Sequence, residues 1–225
     1  MAKRADEFEF TVGLDVVPGV KMMEFTGVPY VCAMGVVGAL RQLGLGERVG
    51  IGWPSGIVCC LGELPRPFEP VPEGEEPPAP EPCAFTDDLG VVEVHAHAGE
   101  QGMAASVTVG LDTSVLARVA QLCAAELCPM PVLASTVVNG ITATVEAWAS
   151  LLRARQAAGP LAPVLSQYFD MVPLLGHPAV ALDRHGLPVA SGIFTALDIW
   201  GKATIKGADG EREFLSEVVD IRPLQ

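Results

Sequence analysis

The sequence predicts an α/β protein in which a mixed β-sheet is flanked by helices and followed by a small C-terminal β-barrel. The chain has 225 residues, half of them hydrophobic, which is enough for one sizeable core. Apolar residues at helical spacing dominate the first three quarters, whereas short strand-like segments and glycine-rich turns follow Leu174. We therefore expect an α/β domain over about residues 1–172 and the barrel over 173–225.

The chain begins with patterns typical of a strand and a buried helix. Residues 8–16 alternate apolar and polar side chains in their first half, which favours a strand. Residues 30–43 place apolar side chains at helical spacing. Pro29 is a common first-turn residue and Gly44 a common terminator, so both ends of this helix are marked. A short strand over 49–53 is expected next.

The middle of the chain predicts a strand pair and then helices. Residues 91–96 and 104–111 are expected to be antiparallel neighbours joined by a turn over 99–102. Three helices are expected after them: 115–127, with Ser114 as its cap, 137–155 and 164–171. The C-terminal barrel is assigned four strands: 180–182, 191–197, 202–205 and 213–219.

One segment breaks this regular pattern. Residues 65–82 contain eight prolines and five glutamates. Such a composition removes backbone donors and provides little apolar surface to bury. We expect an exposed, irregular insertion within the first domain, and its deletion should leave the melting temperature nearly unchanged.

The charge balance bears on partners and location. The net charge is −13, from 27 acidic and 14 basic residues, so nucleic acid is not an expected partner. The apolar run 31–40 is shorter than the roughly 20 residues that cross a bilayer. The N-terminus lacks the apolar region of a signal peptide. We expect an acidic, soluble, cytoplasmic protein without a membrane partner, whose six cysteines are mainly buried thiols.

Several short motifs, taken in order, resemble those of the biotin–protein ligases. Residues 49–56, Val-Gly-Ile-Gly-Trp-Pro-Ser-Gly, follow a helix and look like the "K-W-P-N-D" strand of that family. Residues 89–93 resemble its "L-x-G-I-L-x-E" strand, and 107–113 its "V-x-G-I-N" strand. Residues 192–198 and 209–222 resemble its C-terminal barrel. The resemblance covers nearly the whole chain.

This resemblance implies a fold, a chemistry and a set of candidate residues. The family shares its fold with lipoate ligases, joins biotin to ATP and transfers biotin to a lysine of a carrier domain. Biotin and ATP are therefore implied as ligands, and a biotin carrier domain as a partner, by the resemblance alone. The matching positions imply a ligand site made of Trp53, Pro54, Gly90, Gly110 and Asp112.

The sequence departs from the family where the chemistry needs positive charge. Adenylate formation requires cations and N–H donors around the phosphates. The motif lysine is Gly52 here, the asparagine–aspartate pair is Ser55-Gly56, and the "G-I-N" asparagine is Asp112. The family's arginine–glycine loop has no counterpart, and no lysine occurs between residues 21 and 202. We assign no catalytic residue.

Two functional hypotheses remain open, with a ligand-free structural domain as a third. The first is a degenerate, non-catalytic ligase-like protein that binds a small ligand or a protein partner, which could be a second copy of itself. The second is an active biotin or lipoate ligase with a rearranged site, or with a missing N-terminal half supplied by another chain. His95 and His97 share a strand face, but no third ligand is evident, so no metal site is assigned.

Overall fold

The first five strands form one antiparallel sheet. The computed structural model describes residues 4–65, 81–99, 102–155 and 157–224. The strands are β1 (Phe10–Val16), β2 (Val49–Gly52), β3 (Gly56–Cys59), β4 (Asp87–Gly99) and β5 (Gly102–Leu111). They are ordered β1-β5-β4-β3-β2, and each neighbouring pair is antiparallel. The apolar side chains of alternate residues point from this sheet into the core.

Helices cover one face of this sheet. They are α1 (Val28–Leu40), α2 (Thr113–Leu122), α3 (Met130–Arg155) and α4 (Leu165–Phe169). Helix α1 is buried on nearly all sides, which explains why its sequence is apolar throughout. It crosses α3 at Gly35 and Gly140. A Cβ atom on Gly35 would lie 2.6 Å from Cα of Ile141, and one on Gly140 would lie 2.7 Å from the Gly35 carbonyl oxygen. The two helices therefore contact each other through their backbones.

The C-terminal strands form a second five-stranded antiparallel sheet. They are β6 (Pro178–Asp183), β7 (Pro188–Leu197), β8 (Ala203–Gly207), β9 (Gly210–Phe214) and β10 (Val219–Pro223). Their order is β10-β6-β7-β8-β9.

The fold class is confirmed, and three details of the sheets differ from expectation. The first sheet is antiparallel where a mixed sheet was expected. Strand β3 was missed, because its four residues follow β2 after a three-residue turn. The single strand expected over 213–219 is wrong, since residues 215–218 form a turn between β9 and β10. The predicted insertion at 65–82 falls mostly on residues 66–80, outside the described residues. The domain boundary near residue 172 stays a prediction.

One run of the described residues, Met22–Arg48, is long and apolar enough to span a membrane by length and composition. Most of its apolar stretch, 72%, is buried inside the protein, as in the core helix of a globular domain. All six cysteines are free thiols, and Cys32, Cys59, Cys60 and Cys83 are buried. These four bear out the expectation that the cysteines are mainly core residues.

Candidate ligand site on the first sheet

Trp53 lies in the turn between β2 and β3 and connects the two sheets. Its side chain is 2% exposed, and its Nε1–H donates a hydrogen bond to the Gly201 carbonyl oxygen at 3.1 Å. The hydroxyl of Tyr30, in α1, donates to the same oxygen at 3.0 Å. Gly201 has a φ of +87°, and a Cβ atom there would lie 2.4 Å from the Tyr30 ring. The turn before β8 is thus held on the aromatic side chains of the first part of the chain.

Pro54 is fixed by the same turn. The Trp53–Pro54 peptide bond is cis. The Pro54 carbonyl oxygen accepts a hydrogen bond from the Tyr168 hydroxyl at 2.8 Å. Ser55 bonds to Val92 of β4 twice, through its hydroxyl to the Val92 carbonyl and through its own carbonyl to the Val92 N–H, both at 3.0 Å. The turn is therefore tied to a helix, a strand and the second sheet, and its position is well defined.

A row of small residues crosses the outer face of the sheet, the face opposite the helices. The strand pairing aligns Gly52, Gly56, Val91, Gly110 and Thr11 in this row. Directly opposed residues of antiparallel strands point to the same face. Three of the five are glycines, so the backbone can be approached closely along the row. A ligand or a chain segment can lie flat against it.

At Gly110 this close approach is already used by the protein itself. The 3-10 turn Ala5–Glu7 lies over it, and a Cβ atom on Gly110 would be 2.4 Å from the Ala5 carbonyl oxygen and 2.7 Å from the Phe8 ring. Gly90 faces the other side, where a Cβ atom would lie 2.3 Å from the Gly110 carbonyl oxygen. Both glycines are thus required by packing, and their role in ligand binding stays a prediction.

Asp112 caps helix α2. Its side chain accepts hydrogen bonds from the backbone N–H groups of Ser114 at 3.0 Å and Val115 at 3.1 Å. The expectation that Ser114 is the cap is wrong, because the helix begins at Thr113 and the N-cap position falls on Asp112. The structure brings Asp112 close to Gly90 through the bond from its N–H to the Leu89 carbonyl oxygen. Trp53 and Pro54 lie on the other side of β4.

The first sheet carries no positive charge. None of its five strands, all of which are described, contains a lysine or an arginine. Its charged residues are Asp15, Asp87, Asp88 and Glu93, and the outer face includes Asp15 and Glu93. A surface of this kind repels a triphosphate.

The two arginines that precede β2 in the sequence, Arg41 and Arg48, form structural contacts. Arg41 donates two hydrogen bonds to the Val49 carbonyl oxygen, at 3.0 and 3.3 Å. Arg48 donates to the carbonyl oxygens of Cys60 and Gly62. Burial lowers the pKa of Arg41 from its usual value, which shows the cost of holding its charge there.

Asp88 forms an ion pair that the sequence did not reveal. Arg222 of β10 donates to both of its carboxylate oxygens, at 2.9 and 2.8 Å, and also to Asp220. Asp88 lies at the start of β4, where β10 of the second sheet supplies this partner. The pairing could not be predicted, since 134 residues separate the two partners.

The two histidines of β4 lie on the exposed outer part of the sheet. His95 and His97 are both exposed, and His97 Nδ1 is 3.4 Å from the His95 carbonyl oxygen. Among the described residues, no three potential metal ligands cluster.

The pKa shifts of two buried tyrosines show that the contact between the two sheets is shielded from water. Burial raises the pKa of Tyr30 to about 12 and raises that of Tyr168 well above its usual value. The rings meet edge to face, with centroids 5.4 Å apart. Sequence reasoning missed this cluster, although the helical apolar pattern around Tyr30 indicated that the residue would be buried.

Comparison with known proteins adds a fold assignment. No protein-family model matches the sequence, and no curated protein matches it. Among solved structures, the biotin protein ligase from Aquifex aeolicus in complex with biotin and ATP is similar, with a TM-score of 0.58 and 11% identity over 95% of this chain and 78% of that one.

Two further structures of the same ligase give matching values. The apo structure has a TM-score of 0.58 and 11% identity over 94% of this chain and 80% of that one. A third structure has a TM-score of 0.58 and 12% identity over 95% and 82%. At such low identity the likeness establishes the fold alone. The chain has a divergent form of the biotin protein ligase fold.

Proposed function

We propose that this chain is a non-catalytic member of the ligase fold that acts by binding a small ligand or a protein partner. The observation that carries the proposal is the absence of lysine and arginine from all five strands of the first sheet. The wider span without lysine, between residues 21 and 202, supports it.

The physical reason is the charge on ATP and on the transition state. Each charge-assisted hydrogen bond to a phosphate or carboxylate contributes about 1.5–3 kcal/mol. Losing one transition-state donor typically lowers the rate by about 100- to 1000-fold. Here the residues at the motif positions, Gly52, Ser55 and Gly56, supply no positive charge. The residues present do not fit ATP.

The outer face of the first sheet and the turn next to it are suited to binding a ligand or a partner. The row of small residues on the outer face offers a flat surface at Gly52, Gly56 and Val91, next to the part that Ala5–Glu7 covers at Gly110, and the Trp53–Ser55 turn beside it is held rigidly. Biotin or a biotin carrier domain is the occupant that the fold suggests. This proposal assigns ligand contacts to the residues around Trp53, Pro54, Gly90, Gly110 and Asp112.

The alternative is an active biotin or lipoate ligase that needs a second chain. The likeness to the Aquifex ligase over 95% of this chain favours it, because nearly the whole chain follows that fold. A partner would have to supply the phosphate-binding cations.

The experiment is pyrophosphate release from ATP and magnesium, with biotin and then with lipoate. We expect no turnover from the purified chain, together with a melting temperature that rises with biotin or with a carrier domain. Turnover at an ordinary ligase rate would refute the proposal. Activity that requires a second protein would favour the split enzyme instead.

A further inference from the structure

A cavity of about 430 Å³ adjoins the Tyr30–Gly201 contact, between the start of α1 and the turns of the second sheet. The 3-10 turn Met22–Gly27 and Tyr30 border it on one side. The turn before β8 and the turn between β9 and β10 border it on the other. Sites for small organic molecules usually measure about 300–1,000 Å³, so this cavity is large enough for one.

The walls of the cavity are apolar side chains that the fold leaves exposed. Trp200 is 40% exposed and Leu215 is 47% exposed, and both line the cavity. Met23, on the 3-10 turn Met22–Gly27, and Val218, on the turn between β9 and β10, are also exposed. Exposed apolar residues concentrated around a cavity indicate a binding surface rather than a packing requirement.

The floor of the cavity is rigid and offers polar contacts. Tyr30 is 4% exposed and is held by its bond to the Gly201 carbonyl oxygen. Ser216 lines the same space. A ligand would therefore meet a fixed aromatic base and hydroxyl groups at its polar end.

The charges around the cavity favour a cation. Glu217 lines it, and among the described residues its carboxylate has no hydrogen bond or ion pair. Asp198 is also close enough to act on the Tyr30 hydroxyl. The single lysine of the lining, Lys202, is paired with Glu213 at 3.7 Å. Arg184 is also near, because its guanidinium donates to the backbone carbonyl oxygen of Glu217 at 2.7 and 3.0 Å. The three carboxylates of Asp198, Glu213 and Glu217 therefore exceed the two cations, Lys202 and Arg184, by one negative charge.

We propose that this cavity binds a small organic cation, an ammonium group carried on an apolar body. The apolar body contacts Trp200 and Leu215, and the ammonium group lies near Glu217. The indole face adds attraction for a cation within about 6 Å of the ring. This site lies apart from the row of small residues on the first sheet, so it does not depend on whether the protein catalyses adenylate formation.

The test uses the tryptophans themselves. The chain has three, and the other two, Trp53 and Trp148, are 2% and 0% exposed. Acrylamide quenching of the 225-residue chain therefore reports mainly on Trp200. The probes are 4-phenylbutylamine, its neutral analogue 4-phenylbutanol and its anionic analogue 4-phenylbutanoate. We expect the amine to protect Trp200 at the lowest concentration, the alcohol to be weaker and the acid to be weakest.

A charge variant and a matched control complete the test. Glu217→Gln should weaken the amine about threefold to fivefold, as expected for one partly solvated charge pair, and should leave the alcohol unchanged. Asp209→Asn removes an exposed carboxylate from the turn after β8 and should change neither. Failure of the amine to protect Trp200, equal protection by all three probes, or unchanged amine binding in Glu217→Gln would each overturn the proposal.

Discussion

Two glycines in helix α1 should respond to alanine in opposite directions. Gly38 has no atom within 4 Å of the position that a Cβ would take, whereas at Gly35 that atom would lie 2.6 Å from Cα of Ile141. Both substitutions add about 1 kcal/mol of helix propensity. Only Gly35→Ala forces α1 away from the backbone of α3.

The expected magnitudes follow from these contacts. Gly38→Ala should raise the free energy of unfolding by about 0.5–1 kcal/mol. Overpacking typically costs about 1–3 kcal/mol. At Gly35 the neighbours are backbone atoms, including the Gly140 carbonyl oxygen at 2.8 Å, which cannot rotate away. The propensity gain is common to both variants, so Gly35→Ala should be less stable than Gly38→Ala by about the overpacking cost of 1–3 kcal/mol.

Urea unfolding followed by circular dichroism measures this difference through the midpoint, provided that the m value stays constant. The two substituted residues are three positions apart on one helix, so each variant is the control for the other. If Gly35→Ala proved as stable as Gly38→Ala, the close crossing of α1 and α3 would be wrong.

Two further predictions concern the junction and the core. Gly201→Ala should destabilise the protein by about 1–3 kcal/mol more than Gly176→Ala in urea unfolding. Both glycines have a positive φ, +87° and +86°, but only Gly201 faces the Tyr30 ring. Equal losses of stability in the two variants would contradict this contact. Alkylation at pH 8, followed by mass spectrometry, should label the partly exposed Cys128 well before Cys32. Burial raises the pKa of Cys32 to about 12, so its thiol stays protonated, and equal labelling rates would refute this.

Much of the fold could be predicted because local patterns specify it. The apolar helix around Tyr30 and the strands 91–96 and 104–111 were placed correctly, since their periodicity and turns are continuous in the sequence. The turn within 213–219 was missed, because its apolar residues Leu215 and Val218 are exposed and imitate a strand pattern.

The candidate site was less accessible to such reasoning. The lack of lysine and arginine in the strands of the first sheet could be recognised from the sequence alone, because it requires no knowledge of tertiary contacts. The partners of Trp53 could not, since Gly201 is 148 residues away and only tertiary packing brings the two together. The coverage of Gly110 by Ala5 and Phe8 is likewise a long-range contact.

The central claim is that this ligase fold lacks the positive charge needed to hold ATP. Calorimetric titration of the purified chain with magnesium and ATP at low ionic strength tests it most directly, because screening is then weakest. The Aquifex aeolicus ligase, whose structure contains biotin and ATP, is the positive control. We predict no saturable binding up to about 1 mM ATP. A dissociation constant in the micromolar range would contradict the account.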